Sequence, residues 1–477
     1  MSRAVTEGAS EDDARSQVED VLLPFDLPLE KLCEVSKRLD ENLTKGLTKE
    51  THDKASVKML PTFVRDTPDG TENGDFLALD LGGTNVRVLH VRVEENLQNL
   101  LYKKPIPEYI KKGKVEELFN YIADVLAESL KELELKEKVL PLGFSCSFPC
   151  EQKDIDKANL IRWTKGFACS GGVGCDVVKL LKEAIKRKEE SEEHNLFQVY
   201  KIQPVAILND TVGTMMSCPY KDQSCEIGLI IGTGTNACYM EEMRDVKRVE
   251  GDEGRMCINT EWGGFGDGDD GSLQDVRTEF DKKVDLSSSN QGVHTFEKMI
   301  SGMYLGELAR LVLIEMTEKN LLFGGKGSKA LSTPYSFKTP FISEIEKENT
   351  GLKRAQEILK DLGLSAKQKD CEIVQQVCET ISTRSAQLCG AALAAVANRI
   401  RNNRGLSHFS TTVGVDGAVY AQHPHYSDRL QKTVQKLAPN CTITFVKTED
   451  GSGNGAAMAA AVVKRLKRKK STSSFLK

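Results

Sequence analysis

Apolar positions along this chain follow two rhythms. In one, short runs are apolar at nearly every position and close on glycine and threonine. In the other, leucine, valine and isoleucine recur every three or four residues. The first rhythm predicts buried strands, the second amphipathic helices. Leu29, Leu32, Val35, Leu39 and Leu43 predict a helix over about 28–45, with Pro28 in its first turn and Gly46 as its stop. The block DFLALDLGGTNVRVLHVRVE (75–94) reads strand, glycine turn, strand, with Phe76–Leu79 leading in and Val86, Val88 and Val91 leading out. The block CEIGLIIGTGTNACYMEE (225–242) has the same grammar: an apolar run to Ile231, the turn Gly232–Asn236, and a new strand from Ala237. Two copies of one strand–turn–strand unit suggest a duplicated lobe, each lobe offering one phosphate-facing turn.

Between the two blocks the pattern predicts a strand over Leu142–Pro149, a helix over about 176–190, and a strand ending at Asn209-Asp210. After them come helices near 295–318, 371–401 and 426–437, a strand over 411–420, and a loop at 449–455 that opens an alanine-rich helix. Alternating strands and helices imply an α/β fold with mixed sheets. Residues 1–16, polar and acidic, are expected to be disordered. The basic run KRLKRKK (464–470) reads as a frayed end. Cations stabilising a helix C-terminus explain it as well as an import signal or a membrane-surface contact does.

A length of 477 residues favours two lobes over one core, and the net charge of -5 gives no ground for general nucleic-acid binding. No apolar run approaches membrane-spanning length, and the N-terminus has no apolar core of the kind a secretory leader needs, so a cytoplasmic protein without a membrane anchor is expected. Thirteen cysteines, an odd and scattered set, argue for reduced thiols rather than a disulfide framework. The neighbouring pairs Cys146/Cys150 and Cys169/Cys175 lack the histidines of a usual zinc site.

Several residue groups have the chemistry of a phosphotransfer site. In Asp80-Leu81-Gly82-Gly83-Thr84-Asn85, paired glycines let backbone N–H groups approach an anion, and an aspartate at the strand end suits magnesium held through water. A plain hairpin turn explains the same residues until the second turn, around Thr233, is set beside it. No Walker or protein-kinase glycine loop occurs. Asp210, at the carboxyl end of an apolar strand, is the candidate base; an N-cap explains its position equally. Glu261, beside Trp262 and a glycine cluster, and Glu297, at the start of an apolar helix, read as sugar-hydroxyl acceptors or as ordinary exposed glutamates. Lys165 and Thr164 in RWTKGF offer a cation and a hydroxyl, and Ser147 in SFP a donor; surface and turn roles remain open for each. The loop Asp450–Gly455 fits a nucleoside site or a plain helix entry.

Taken together, SVKMLPTFV, LALDLGGTN, GFSCSFPC, RWTKGF, LNDTVGTMMS, IGTGTNACYMEE, INTEWGGFGD, EKMISGMYLGEL, TVGVDG and EDGSGNGAA make the chain resemble the eukaryotic hexokinase family over about residues 16–463. Its size is similar to the glucokinase branch or an invertebrate-type hexokinase. The resemblance implies an actin-like (ribonuclease H-like) two-lobe ATPase fold with a central cleft. It divides the chain into an N-terminal tail (1–15), an N-terminal part (16–215, small lobe, with 16–75 joining the large lobe), a C-terminal part (216–463, large lobe, with 450–463 returning to the small lobe) and a basic tail (464–477).

The implied activity is ATP-dependent phosphorylation of glucose, and of mannose or fructose, at the 6-hydroxyl, by a monomer using magnesium. Asp210 and Lys165 match catalytic positions. Ser147, Phe148, Thr164, Lys165, Asn209, Asp210, Asn236, Glu261 and Glu297 match positions that hold the sugar. The implied nucleotide side comprises Asp80 (also the magnesium contact, through water), Leu81, Gly82, Gly83, Thr84, Asn85, Thr233, Gly302, Met303, Thr333, Ser336, Phe337, Ala418, Val419, Tyr420, Ala421 and Gln422. Here the chain departs from the family pattern: Ala418 and Ala421 stand where a hydroxyl and a lysine are usual, Pro334-Tyr335 replaces Arg-Gly, and Asn454 replaces a basic residue. Cys146 replaces a usual phenylalanine beside the sugar loop. Losing several phosphate donors weakens ATP binding by roughly 1–3 kcal/mol, at about 1 kcal/mol per net hydrogen bond. Those losses keep open a second reading, a glucose-binding sensor with weakened turnover.

Overall fold

The computed structural model describes residues 11–94, 97–132, 139–163, 166–191, 196–218, 224–448 and 450–474. Thirteen strands run through these residues: β1 (Leu60–Pro61), β2 (Gly74–Leu81), β3 (Asn85–Val93), β4 (Leu97–Pro105), β5 (Val139–Cys146), β6 (Cys150–Asp154), β7 (Lys157–Leu160), β8 (Lys201–Leu208), β9 (Cys225–Ile231), β10 (Thr235–Glu242), β11 (Arg255–Asn259), β12 (Phe409–Asp416) and β13 (Cys441–Lys447). One sheet has the order β4-β3-β2-β5-β8, the other β1-β11-β10-β9-β12-β13, and β6 pairs with β7 alone. From β4 in the first sheet and from β11 in the second, two antiparallel pairings are followed by two parallel ones, and β1 adds a third antiparallel pairing at the edge of the second. With β1 set aside, the two orders are the same. The duplication suggested by the two Gly-Thr turns is therefore a duplication of whole sheets, and each turn closes the first hairpin of its sheet.

Three cores hold this arrangement. Leu32, Val35, Leu39 and Leu43 of helix Leu29–Leu47 bury their stripe with the long helix Gln368–Asn403 beside the six-stranded sheet. Helices Val115–Glu132 and Val177–Glu190 cover the five-stranded sheet. The third core joins the sheets: Ala456–Val462 of helix Gly451–Ser474 pack with Met215 and Met216 of helix Asp210–Met216 and with Cys238 and Met240 of β10. Glycines allow the closest approaches. A Cβ on Gly143 would lie 1.8 Å from the Ala456 carbonyl oxygen, and one on Gly455 would lie 1.9 Å from that of Gly213.

The elements differ from the sequence expectations in definite places. Helix Glu11–Leu22 begins inside the segment expected to be disordered, because Val18, Val21 and Leu22 find the large core. Gly46 is a close-approach residue, not a stop: the helix runs to Leu47, and a Cβ at Gly46 would lie 2.4 Å from the Val57 carbonyl oxygen. The helix expected over 295–318 is two, Thr295–Ile300 and Gly302–Glu318, split at the extended Ser301. The strand expected to reach 420 ends at Asp416 and gives way to the short helix Ala418–Gln422. The 449–455 loop is already helical from Gly451, and the basic run stays helical through Ser474 instead of fraying. Arg465 explains part of that order: it is buried and paired with Asp66, Asp69 and Glu72. Helix Val115–Glu132 and the β6–β7 hairpin had no sequence expectation. Cys218 and Cys225 form a disulfide between the end of helix Asp210–Met216 and the start of β9, a correction to the all-thiol reading. Among the described residues, no helix is long and apolar enough to cross a membrane.

Candidate active site

The two hairpin turns supply one half of the site. In the first, the Gly82 N–H donates to the Asn85 carbonyl at 3.2 Å, and Asp80 sits directly across the hairpin from Arg87. Arg87 donates to Asp80 Oδ2 through Nε (2.8 Å) and Nη2 (2.5 Å), while Asp80 Oδ1 is buried without a hydrogen-bond partner. A buried carboxylate oxygen left unmatched beside a glycine turn is costly unless a ligand meets it, and a hydrated magnesium ion fits that donor set. Leu81 is buried, and its carbonyl accepts from the Ser147 N–H at 3.4 Å, tying the predicted sugar loop to the phosphate turn.

In the second turn, the Gly232 and Thr233 carbonyls accept from the N–H groups of Gly302 (2.8 Å) and Met303 (3.2 Å). The start of helix Gly302–Glu318 is thereby pinned to the turn. Residues 418–419 arrive at the same point, since a Cβ on Gly302 would lie 2.8 Å from Val419 Cγ2. Thr339 Oγ1 donates to the Gly302 carbonyl at 2.5 Å, and the Tyr335 N–H donates to Glu307 at 2.6 Å, docking the 333–339 segment on the same helix. Thr233, Gly302, Met303, Ala418 and Val419 thus meet at one turn, while the 333–339 segment is held farther along the helix at Glu307 and by Thr339. Three predicted nucleotide contacts, Leu81, Phe337 and Val419, turn their side chains into the core, leaving only their backbone for a ligand. Thr333 is exposed, and its hydroxyl donates to the Lys329 carbonyl.

The other half is a cavity of about 330 Å³ whose walls come from both lobes: Phe148, Ile161 and Arg162 on one side, Asn259, Glu261 and His294 on the other, with Asn209 at the strand end. Asn209 is the helix cap: its Oδ1 accepts from the Thr211 N–H at 2.9 Å, and Asp210 is the first residue of the helix. The cap reading of Asp210 is corrected by one residue, and its carboxylate stays half-buried, accepting from the same Thr211 N–H at 2.9 Å. Asn236 Nδ2 donates to Asn259 Oδ1 (2.8 Å) and to Glu261 Oε1 (3.2 Å), and Asn259 Nδ2 donates to the same Glu261 oxygen (2.7 Å). Glu261 adopts the left-handed conformation (φ 52°), which carries its side chain to these amides. Burial raises its pKa and the Asn259 hydrogen bond opposes the rise, while the charges of Asp210 and Glu297 add to it.

Glu297 accepts from the Thr235 N–H (3.0 Å) and bonds His294 Nδ1 (3.2 Å). That bond raises the His294 pKa against desolvation. Asp267 caps the same segment, accepting from the N–H groups of His294 and Thr295. Phe148 is buried edge-on against Trp163 and Phe167, with ring centroids 5.1 and 4.9 Å away. The predicted site residues Thr164 and Lys165 lie outside the described residues. Sequence reasoning missed Asn259, His294, Asp267 and Arg87. The available signals were the spacings Asn259–Glu261 and His294–Glu297, and the place of Arg87 across the turn from Asp80.

Two sheets of one topology, each presenting a glycine turn, with a carboxylate–amide cavity walled by both lobes, define a two-lobed actin-like ATPase fold. The chain belongs to the hexokinase family, whose two patterns, both described as hexokinase, match residues 17–220 and 226–462. It is 53% identical to human Hexokinase-2 over 460 residues and 50% identical to human Hexokinase-1 over 462, covering 95% and 96% of this chain. It spans about half the length of these curated relatives, 49% of each. The solved hexokinase of Schistosoma mansoni, complexed with glucose, superposes with a TM-score of 0.81 at 39% identity, covering 95% of this chain and 100% of that one.

Proposed function

We propose that this chain transfers the γ-phosphate of ATP to the 6-hydroxyl of glucose and of mannose or fructose. The observation that carries the reading is the cross-linked cluster Asn236–Asn259–Glu261 in the cavity that Asn209 also lines, beside the half-buried carboxylate of Asp210. Carboxylates and amides fixed in one network suit the adjacent hydroxyls of a pyranose, because each hydroxyl both donates and accepts. The glucose complex of the Schistosoma relative supports the choice of sugar.

Asp210 accepts the proton of the 6-hydroxyl as that oxygen attacks phosphorus, and holds it in line. Glu261, Glu297, Asn209 and Asn236 fix the ring, which converts attack into an intramolecular event. Asp80 would hold a magnesium ion through water, and that ion would neutralise charge on the phosphate oxygens. Lys165 takes the transition-state charge on the transferring phosphoryl group. Closing the lobes over the sugar excludes water, which separates transfer to sugar from hydrolysis of ATP. A coupled assay of ADP release with MgATP tests the reading: release is expected only when glucose is present. Folded protein that binds glucose and releases no ADP would overturn it.

A further inference from the structure

We propose that Arg87 is the positioning residue of the phosphate side, holding Asp80 and the entry of the C-terminal helix as one unit so that Asp80 Oδ1 meets the nucleotide-bound cation. The proposal rests on reading the first glycine turn as a phosphate site. Arg87 stands across the β2–β3 hairpin from Asp80 and spends two N–H groups on a single carboxylate oxygen. Its other contacts leave the sheet: Nη1 donates to Asp450 Oδ1 at 2.7 Å and Nη2 to Ser452 Oγ at 2.8 Å.

Asp450 lies where the chain leaves β13 of the six-stranded sheet and enters helix Gly451–Ser474, which packs on the five-stranded sheet. One guanidinium therefore joins the phosphate turn to the point where the chain crosses between lobes. Asp450 has φ of 50°, a left-handed conformation that the Arg87 contact helps to hold.

The charges favour a cation as the missing partner. Asp80 and Asp450 share one arginine, so the cluster keeps a surplus negative charge beside the turn. Arg87 remains protonated: burial alone would lower its proton affinity, but Asp80 and Asp450 raise it. Asp80 Oδ1 is buried beside the glycine turn with no hydrogen-bond partner, and so is open to such a cation. Lysine cannot replace this fork, since one ammonium does not reach three acceptors in three directions.

The test compares wild type, Arg87→Met, Arg87→Lys and Ser452→Ala as full chains. Kinetics are measured against MgATP, against free Mg²⁺ at fixed ATP, and against glucose, and glucose binding is followed by the fluorescence of the two tryptophans. Arg87→Met is expected to raise the MgATP KM about tenfold and lower kcat by a similar factor, with glucose Kd within about twofold. Arg87→Lys should behave like Arg87→Met, and Ser452→Ala should shift the MgATP KM in the same direction by about twofold. Lysine activity equal to wild type, or a glucose Kd that weakens in step with the MgATP KM, would overturn the proposal.

If Arg87→Met does not fold, Asp450→Asn and Ser452→Ala decide: an unchanged MgATP KM in both overturns it. A wild type without turnover would sink the phosphotransfer reading and still leave this one decidable. Protection against thermal unfolding by ATP with Mg²⁺, minus that by ATP alone, is then compared in wild type and Ser452→Ala. A smaller Mg²⁺ increment in the variant supports the role of the cluster, and an equal increment overturns it.

Discussion

Replacing Glu261 with glutamine separates what the site does for the sugar from what it costs the fold. The carboxylate is held in a left-handed backbone conformation, with Asn236 and Asn259 both donating to Oε1 at 3.2 and 2.7 Å. Glutamine keeps a carbonyl oxygen for those two amides and removes only the charge. That charge is unfavourable where it sits: burial first, then Asp210 and Glu297, raise the pKa above the usual 4.5. A carboxyl raised in the folded state costs nothing below its ordinary pKa, where it is neutral in both states. The cost builds as pH rises from the ordinary value up through the folded one and is full above it. Glu261→Gln should therefore unfold at a higher temperature than wild type at pH 7.5, with the gain shrinking towards zero near pH 4.5.

Sugar binding should change in the opposite direction. One charge-assisted hydrogen bond to a hydroxyl is worth about 1.5–3 kcal/mol, so glucose Kd should weaken by roughly 10–150-fold. Calorimetric melts across pH, with glucose titrations followed by tryptophan fluorescence, measure both. A variant less stable than wild type at neutral pH, or a stability gain independent of pH, would show that Glu261 is not the desolvated acceptor described.

Two further outcomes follow from particular contacts. Gly455→Ala places a methyl 1.9 Å from the Gly213 carbonyl, where helix Gly451–Ser474 crosses helix Asp210–Met216; destabilisation of about 1–3 kcal/mol is expected in denaturant melts. His294 gains a raised pKa from its bond to Glu297, so its contribution to stability is full below the ordinary 6.5 and is lost as pH rises through the folded value; melts between pH 6 and 9 should show this loss in wild type and not in His294→Asn.

How much was legible in the sequence follows from which physical signal each element carries. The hairpins at 75–94 and 225–242 were readable because an unbroken apolar run closing on Gly-Gly-Thr-Asn or Gly-Thr-Gly-Thr has few competing structures. The entry of helix Gly451–Ser474 was misread as a loop because glycine and asparagine are poor helix formers. Contact with Gly213 and Gly143, which no local pattern reveals, requires those small residues inside a helix. Glu261 and Glu297 were identified as anomalous carboxylates, but Asn259 and His294 were not, since an amide in a strand and a lone histidine carry no periodic signal. Asn209 and Asp210 are adjacent and both able to cap, and only backbone geometry decides between them. Arg87 was overlooked because its partners are seven residues away at Asp80 and at the far end of the chain.

Asp210 as the proton acceptor for phosphotransfer is tested by comparing wild type with Asp210→Asn in a single-turnover measurement of glucose 6-phosphate formation from MgATP and bound glucose. The rate should fall by about 10²–10⁴-fold in the variant while glucose still binds within severalfold of wild type. Turnover close to wild type in Asp210→Asn would contradict the assignment.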